Sequence, residues 1–278
     1  MDRDELNRGA ARTATALRNQ LAQMTAISQM LEDSVWDEKG KGHLAELNQS
    51  IYRMLRIAGR LELCERLARG DPELQDAPVD LAELTADLGR RMESLLDRVG
   101  VELTVRCPER LLAWADRALV EQLLLELTAN AARAVGGGQT RAVKDSETAE
   151  PGKQVTVTLE QVKNAAVFTV EDNGPGVPPG QMELLFPQDG GEQQPDWRKT
   201  GNGIAIAQRI ARLHGGALVA SCAAGRGLRV SASIPLNRGR GESFQTPGPG
   251  IDEGGFDSAL VGLSHLLPPE VFRREDYE

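Results

Sequence analysis

The sequence predicts an α+β protein in which an N-terminal helical hairpin precedes an α/β sandwich. Two long segments with apolar residues at three- and four-residue spacing predict the hairpin. Beyond a turn-rich linker the pattern changes to short alternating strands and a glycine-led helix, which predicts helices packed on one face of a mixed sheet. We therefore expect three regions: the hairpin at 1–72, the sandwich at 73–236, and a flexible linker with a tail at 237–278.

Composition limits the class of protein. The 278 residues are 40% hydrophobic and 26% charged, as in soluble globular proteins, and the net charge of -9 argues against non-specific binding to nucleic acid. No apolar run approaches the roughly 20 residues that cross a bilayer, and the acidic start "MDRDELNRGA" is not a secretory signal. The three cysteines, Cys64, Cys107 and Cys222, match no metal-binding spacing. We expect free thiols in a cytoplasmic protein.

The predicted hairpin carries two long apolar stripes. The stripe of the first helix consists of Leu17, Leu21, Met24 and Leu31, and Ile27 and Met30 widen it. The glycine-containing stretch "DEKGKG" at 37–42 predicts the break between the helices. The stripe of the second helix consists of Leu44, Leu47, Ile51, Met54, Leu61 and Leu67. Each stripe is longer than one partner helix covers, so we expect a homodimeric four-helix bundle.

The sandwich elements follow the turn-rich linker at 70–78 in a clear order. We predict a helix at "LAELTADLGRRMESLL", strands at "VELTVRC" and "LLAWAD", and an apolar helix at "RALVEQLLLELTANAARAV". A strand hairpin at "QVTVTLEQ" and "AAVFTVED", a helix at "TGNGIAIAQRIARLHGG" and strands at "ALVASCAA" and "LRVSASIPL" complete the domain.

The tail combines a Gly/Pro-rich linker with an apolar cluster. The apolar residues are Phe256, Leu260, Leu263, Leu266 and Phe272. Such a cluster docks either on its own domain or on a partner, and packing on its own domain is the favoured interpretation.

Three motifs carry the chemistry, and the first is "ELTANAAR". Glu126, Asn130 and Arg133 are spaced by four and three residues, so they share one helix face. A carboxylate, an amide oxygen and a guanidinium projecting together suit a magnesium-phosphate site. The alternative is an ordinary solvated face with an intrahelical ion pair.

The second motif, "VEDNGPGVPPG", ends a strand. Asp172 shares the parity of Phe168 and Val170 and therefore points to the buried face, where a purine exocyclic amine is a suitable donor to the carboxylate. Gly174 and Gly176 allow a ligand to approach the backbone closely. The alternative is a plain turn.

The third motif, "KTGNGIAIA", opens a helix. Gly201 and Gly203 lie where free backbone N–H groups attract phosphate, and Thr200 either caps the helix or binds a phosphate oxygen. A G-x-G at a helix start is weak evidence when it stands alone, but the order of the three motifs strengthens it.

These motifs resemble the asparagine box and the two glycine boxes of the histidine-kinase-like ATPases. "RIARLHGGALVASCAAGRGLRVSASIPL" resembles the C-terminal helix and strand pair of the sensor histidine kinases, and "PVDLAELTADL" resembles the start of their catalytic domain. The resemblance covers about 78–236, and the hairpin resembles the dimerisation domain of these kinases more weakly.

The resemblance implies binding of ATP and Mg²⁺. It implies that Asn130 binds magnesium, that Arg133 approaches the phosphates, and that Asp172 accepts the adenine amine. The base pocket and the phosphate loop would comprise Gly174, Gly176, Lys199, Thr200, Gly201 and Gly203. The stretch at 185–199, with Phe186 as an apolar contact, would be a mobile lid over ATP.

Three departures from the family pattern affect function. Lys199 stands where the second glycine box usually begins with glycine. Glu126 stands where many histidine kinases have asparagine. The resulting Glu-x-x-x-Asn pairing resembles that of pyruvate dehydrogenase kinases, anti-sigma-factor kinases and type II topoisomerases, in which this glutamate acts as a base. In "TATALRNQLAQM" the phosphorylatable histidine would fall at Thr15. His43 and His265 are poorly placed to replace it.

The leading hypothesis is a soluble, dimeric, histidine-kinase-like signalling protein that has no sensor domain and transfers phosphate from Mg-ATP. The missing histidine argues against autophosphorylation on histidine. One alternative is an ATP-dependent Ser/Thr protein kinase or ATPase that uses Glu126 as the base, with Thr15 as one conceivable acceptor. Another is a non-catalytic, ATP-gated scaffold. A response regulator or another protein substrate would bind the hairpin or the tail.

Overall fold

The computed structural model describes residues 3–32, 37–68, 74–136, 152–177, 182, 203–222, 227–236 and 256–273. In the first two helices the described side chains are those of 16–31 and 38–63. The chain forms two compact units, one comprising Met1–Pro72 with Ile251–Glu278 and the other Glu73–Gly250. Each is considered by itself.

The described part of the chain begins with two long helices, continues with seven strands and three helices, and ends with two short helical segments. The helices are α1 (Arg3–Glu32), α2 (Glu38–Ala68), α3 (Leu81–Asp97), α4 (Arg117–Ala134), α5 (Gly203–Leu213), α6 (Ser258–Leu263) and a 3₁₀ helix (Pro269–Phe272). The strands are β1 (Ala77–Asp80), β2 (Val101–Arg106), β3 (Leu112–Ala115), β4 (Lys153–Val162), β5 (Ala165–Asp172), β6 (Leu218–Cys222) and β7 (Leu228–Pro235).

The helical hairpin forms as predicted, but its second helix begins earlier than expected. α2 starts at Glu38, and the backbone N–H of Lys41 donates to the carbonyl of Asp37 at 3.1 Å. The two helices are separate as predicted, but residues 38–42 belong to α2 and not to the predicted break at 37–42. A glycine inside a helix costs only about 1 kcal/mol relative to alanine, so the packing of α2 outweighs the cost of Gly40 and Gly42.

Only part of each predicted apolar stripe is buried within one chain. Leu21, Ile51 and Leu55 form a buried cluster between α1 and α2. Seven described residues of the predicted stripes remain exposed, among them Ile27 and Met30. We call the other five the open stripe: Leu17, Met24, Leu31, Leu47 and Met54. Within each helix these residues recur every seven positions, which places them on one side of that helix.

The C-terminal segment packs on α2. The side-chain amide of Asn48 donates to the carbonyl of Phe272 at 3.1 Å, and that of Gln49 donates to the carbonyl of Leu267 at 2.6 Å. The ring of Tyr52 lies 5.2 Å from that of Phe272 and 5.8 Å from that of Phe256. The tail residues identified from the sequence are thus bound to the hairpin of their own chain, and Phe272 is fully buried there.

The second unit is built on a five-stranded sheet with the order β2-β4-β5-β7-β6. β2 and β4 are parallel and the other neighbouring pairs are antiparallel, so the sheet is mixed. The predicted pairing of β4 with β5 is confirmed. α3, α4 and α5 pack against this sheet, which confirms the predicted α+β sandwich.

A separate two-stranded sheet pairs β1 with β3 in antiparallel register. The sequence predicted β3 but assigned the start of β1 to the linker at 70–78. β1 has only four residues and includes Pro78, and its partner is distant in the chain. Proline is confined to edge strands because it has no N–H to donate, so the local pattern favoured a turn.

His214 joins the two helices on which the candidate site is built. It is fully buried at the end of α5, and its Nε2 accepts from the backbone N–H of Asp116, the N-cap of α4, at 3.1 Å. Its Nδ1 lies 2.8 Å from the carbonyl of Ile210 and must donate the proton there. The ring is therefore used as a neutral structural bridge between α4 and α5.

We predict that Phe272→Ala destabilises the helical unit. Removing a fully buried phenylalanine ring leaves a cavity against Tyr52 and should lower the free energy of unfolding by about 3 kcal/mol. Glu270→Ala, an exposed position in the same 3₁₀ helix, is the control. Urea unfolding followed by the circular dichroism of the helices measures both variants, and equal midpoints would contradict the packing described.

Candidate functional site

The candidate site is centred on Glu126, in the middle of α4. α4 lies between the sheet and α5, and Glu126 is only 4% exposed. Its Oε1 accepts a hydrogen bond from Nε2 of Gln122, one turn earlier, at 3.0 Å. The alternative of a solvated face is therefore wrong for Glu126, because the carboxylate is enclosed by protein.

Asn130 lies one turn beyond Glu126 and is half-buried. Its Nδ2 is buried and has no hydrogen-bond partner among the described residues. A buried amide without a partner is uncommon in folded proteins and indicates a group that awaits a ligand or an ion. Arg133, also half-buried, follows in the last turn of α4.

Gly203 brings the start of α5 onto these two side chains. A Cβ atom at this position would lie 2.6 Å from Nδ2 of Asn130 and 2.8 Å from Oε2 of Glu126, so any other residue here would require these two side chains to shift. Glycine thus allows the first turn of α5 to pack directly over the polar pair. The free N–H groups of a helix N-terminus favour an anion such as phosphate.

The other end of the candidate site is Asp172, the last residue of β5. It is 4% exposed, and its Oδ1 accepts from the backbone N–H of Gly174 at 2.9 Å. Removal from water raises the pKa of the carboxyl group above its ordinary value of 3.8, and the charge of Glu171 adds to this effect. Hydrogen bonds from the backbone of Gly174 and Leu228 oppose the rise in pKa.

The loop after Asp172 is fixed by tight backbone contacts. A Cβ on Gly174 would lie 2.8 Å from Oδ1 of Asp172 and 3.0 Å from the carbonyl of Ala134, so the loop runs against the end of α4. Asn173 secures the loop to the first residues of β4, because its Oδ1 accepts from the N–H of Gln154 at 2.9 Å. Its Nδ2 donates to the carbonyl of Gly152 at 2.6 Å.

α4 therefore joins the two glycine segments. The start of α5 contacts α4 at Glu126 and Asn130, and the loop after Asp172 contacts it at Ala134. From Glu126 to Ala134 the helix rises about 12 Å. This separation suits a nucleotide whose base lies at the Asp172 end and whose phosphates lie at the Gly203 end.

Several predicted site residues lie outside the described part of the chain. These are Lys199, Thr200, Gly201 and the proposed lid at 185–199 with Phe186. Thr15 lies within α1, but its side chain is not among those described. The residues placed by the structure are Glu126, Asn130, Arg133, Asp172, Gly174, Gly176 and Gly203.

Sequence reasoning missed three residues that hold the site together: Gln122, Asn173 and Cys222. The four-residue spacing of Gln122 from Glu126 was a usable signal, because such pairs meet on one helix face. Asn173 was read as part of a turn, and its bonds to β4 depend on sheet pairing. Cys222 contacts a backbone distant in sequence, which no local pattern indicates.

Comparison with known proteins identifies the type of domain that contains this candidate site. A family described as "Histidine kinase-, DNA gyrase B-, and HSP90-like ATPase" matches residues 115–238. The histidine protein kinase DivJ of Caulobacter vibrioides is 31% identical over 199 residues, which are 70% of this chain and 29% of DivJ. The sensor histidine kinase MtrB of Mycolicibacterium paratuberculosis is 29% identical, covering 76% of this chain and 36% of MtrB.

A solved structure supports the fold. The crystal structure of full-length ShkA in complex with AMPPNP is 22% identical in sequence, with a TM-score of 0.60, and covers 82% of this chain and 46% of that one. The chain spans about a third of the length of the curated relatives DivJ and MtrB.

Fold and site together define a protein with an ATP-binding domain of the histidine kinase-like ATPase class. The named relatives make the assignment more specific. The chain belongs to the histidine-kinase family.

None of the helices in the described part of the chain combines the length and the apolar character that crossing a membrane requires. The described residues also contain no cluster of three or more His, Cys, Asp or Glu side chains arranged to hold a metal ion.

We predict that Asp172→Asn weakens ATP binding without loss of stability at neutral pH. A carboxyl group with a raised pKa contributes stability that is present below pH 3.8 and lost as the pH rises through its folded pKa. The amide has no such loss, so its advantage over the wild type should shrink as the pH falls towards 3.8. Urea titrations across this pH range measure the difference.

The same variant should bind ATP about tenfold more weakly or worse, because an amide accepts the adenine amine less well than a carboxylate does. The neighbouring Glu171→Gln, which removes an exposed carboxylate paired with Arg229, is the control and should keep its affinity. Isothermal titration calorimetry compares the three proteins. Equal affinities for Asp172→Asn and the wild type would exclude Asp172 as the acceptor of the amine.

Proposed function

We propose that this chain is a signalling ATPase or kinase of the histidine-kinase family that binds Mg-ATP along α4 and transfers its phosphate. The observation that supports this most strongly is the enclosed pair Glu126 and Asn130 beneath Gly203, with Asp172 at the other end of the same helix segment. The relative ShkA is crystallised with AMPPNP, which favours an adenine nucleotide here too.

The residues present fit a magnesium ion bound together with the nucleotide. Asn130 has a buried side-chain amide without a partner among the residues that the structure describes. An amide carries one oxygen and one nitrogen that exchange places when the group rotates, so Asn130 is able to present its oxygen as a hard ligand. Mg²⁺ bound there would offset phosphate charge, and Arg133 in the next turn would do the same for the remaining oxygens.

We propose that the phosphate goes to an acceptor other than a histidine of α1. Thr15 occupies the position at which the resemblance places the phosphorylated histidine. His43 is exposed at the start of α2 and pairs with Glu46 at 3.8 Å, and His265 lies half-buried in the tail. Neither lies in the helix that carries the acceptor in the family.

The burial of Glu126 favours a specific second candidate, a Ser/Thr protein kinase or ATPase. A hydroxyl or water nucleophile holds its proton until the transition state and therefore gains from a nearby base, whereas a neutral imidazole attacks directly. Glu126 is enclosed, and the bond from Gln122 holds Oε1, while Oε2 lies beside Gly203 at the start of α5. This is a suitable orientation for a base beside the proposed phosphate site.

We predict that Glu126→Gln retains ATP binding and loses turnover by about a hundredfold or more, the usual contribution of a general base. The amide keeps the shape of the side chain, so binding of nucleotide should be little affected. Turnover is measured as phosphate release and as transfer of ³²P from labelled ATP to the chain, with Glu160→Gln on the exposed end of β4 as the control. Full activity in Glu126→Gln would exclude the glutamate as base.

The chemical stability of the labelled product separates the candidates. A phosphate on threonine is stable in acid and labile in strong base, and Thr15→Ala would abolish it if that residue is the acceptor. An acid-labile, base-stable phosphate on the chain would contradict the proposed loss of histidine transfer. ATP binding without release or transfer of phosphate would favour the third candidate, an ATP-gated scaffold. Absence of ATP binding would contradict all three.

We further propose that the chain is a homodimer assembled through the open stripe. Seven-residue spacing on both helices is the pattern of the seams in four-helix bundles and coiled coils. In the single chain these apolar residues are 40% to 47% exposed, so a second hairpin has apolar surface to bury. A response regulator or another protein substrate would then bind elsewhere on the hairpin or on the tail.

We predict that Met24→Glu weakens dimerisation, because it places a charge in the proposed seam. Met30→Glu is a matched control: Met30 is also an exposed methionine of α1, at 73%, but it lies on a different side of the helix. Light scattering coupled to size-exclusion chromatography should show a dimer for the wild type and Met30→Glu and a monomer for Met24→Glu. A monomeric wild type, or a dimeric Met24→Glu, would contradict the proposed seam.

A further inference from the structure

We propose that Cys222 is a positioning residue of the nucleotide site, and that its thiol holds the loop after Asp172 in the shape that selects adenine. The inference rests on the proposed binding of ATP and assigns to Cys222 no contact with the nucleotide. Cys222 ends β6 and is half-buried, and it was expected from the sequence only as an idle thiol.

The thiol joins two segments that flank Asp172. The backbone N–H of Val177, in the loop after Asp172, donates to Sγ of Cys222 at 3.2 Å. Sγ in turn lies 3.1 Å from the carbonyl of Gly227, at the start of β7, and donates its proton there. One side chain thus accepts from the loop and donates to the turn between β6 and β7.

Packing at Gly176 makes the same connection. A Cβ on Gly176 would lie 2.6 Å from Sγ of Cys222, and this glycine has a φ of 72°, which side chains rarely adopt. The sulfur therefore packs directly against the backbone of Gly176, which has no side chain. The loop is held at two consecutive residues, Gly176 and Val177, by a single atom.

The other end of the connection reaches the carboxylate itself. Cys222 pairs with Leu228 across β6 and β7, and the backbone of Leu228 donates a hydrogen bond to the carboxylate of Asp172. Gly227 packs against the carbonyl of Asp172 so closely that a Cβ there would overlap it. The thiol therefore links both backbone donors of Asp172, because Gly174 belongs to the held loop and Leu228 to the adjoining strand.

This arrangement predicts an effect on base selectivity as well as on affinity. Adenine presents an amine to Asp172, whereas guanine presents a carbonyl oxygen at the same place and would be repelled by a carboxylate. Discrimination depends on the carboxylate being held at a fixed position. When the thiol is removed, the loop and the carboxylate gain freedom, and the preference for ATP over GTP should fall.

The experiment compares Cys222→Ala with Cys107→Ala in the full chain. Cys107 is also a free, half-buried thiol, but it follows β2 and has no described bond to the loop after Asp172. Calorimetry gives the Kd values for ATP and GTP, and thermal unfolding gives stability. Cys222→Ala should raise the Kd for ATP about tenfold, or 1.4 kcal/mol, and lower the ATP-to-GTP preference, while Cys107→Ala should change neither.

Cys222→Ser provides the rescue, because a hydroxyl also accepts one hydrogen bond and donates one; it should recover part of the ATP preference. Wild-type protein that binds ATP, with Cys222→Ala equal to it in both Kd values, would overturn the inference and leave the proposed function intact. A loss of stability with an unchanged ATP-to-GTP ratio would likewise overturn it, because the thiol would then be only structural. Wild-type protein that binds no ATP would overturn both.

Discussion

The nucleotide site depends on one constraint, the burial of a carboxylate and an amide in the middle of α4. A buried carboxylate is costly unless donors surround it, and the side chain of Gln122 is one donor to Glu126. Asn130 beside it has an amide nitrogen with no partner in the described part of the chain. The helix carries these groups between a sheet and α5, where leucine or alanine would pack more favourably. A ligand that pairs with the amide of Asn130 would explain the position of that residue.

Gly203 is the second half of this constraint. Two helices normally approach each other through interdigitating side chains, but here α5 meets the polar pair at Gly203, which has no side chain. His214 fixes the opposite end of α5 to the N-cap of α4, so α5 is attached to α4 at both ends. The start of α5 is thereby held over Glu126 and Asn130, and a phosphate placed there meets backbone donors that are already oriented.

Asp172, at the proposed base end of the site, is also a polar group whose burial costs stability. Its raised pKa means that the fold would be more stable with this group neutral, and the backbone donors offset only part of that cost. Sites that retain such groups trade stability for binding. The hydrogen bonds of Cys222 with Val177 and Gly227 have the same physical reason. A charged carboxylate in a poorly solvated place has to be held by its neighbours.

The sequence predicted those parts of the structure whose cause is local. Period-two alternation located β4 and β5, and helical spacing located α3 and α4, because both patterns depend only on residues that are close together in the sequence. The parity argument placed Asp172 on the buried face, and the structure agrees. The burial of Glu126 was not predictable, because a Glu-x-x-x-Asn spacing reads equally well as a solvated face until α5 is placed over it.

What the sequence did not reveal is non-local. β1 is four residues long and needs β3 to exist, and the Cys222 connection joins Val177 to a thiol that lies on a different strand. The start of α2 was misplaced because glycines were read as a break although the packing of a long helix outweighed them. In each case the deciding contact is one that only the folded chain brings together.

The C-terminal segment covers one side of α2 and leaves another side exposed. At 100° per residue, Asn48 and Tyr52 lie roughly a third of a turn away from the side of α2 on which Leu47 and Met54 are found. The tail covers the first side and leaves the open stripe on the second. A second hairpin bound at the open stripe would therefore lie on a different side of α2 from the C-terminal segment and would not compete with it. A protein that binds the side of α2 covered by the tail, by contrast, has to bind the tail as well or displace it. The tail is therefore part of the binding surface on that side of the hairpin.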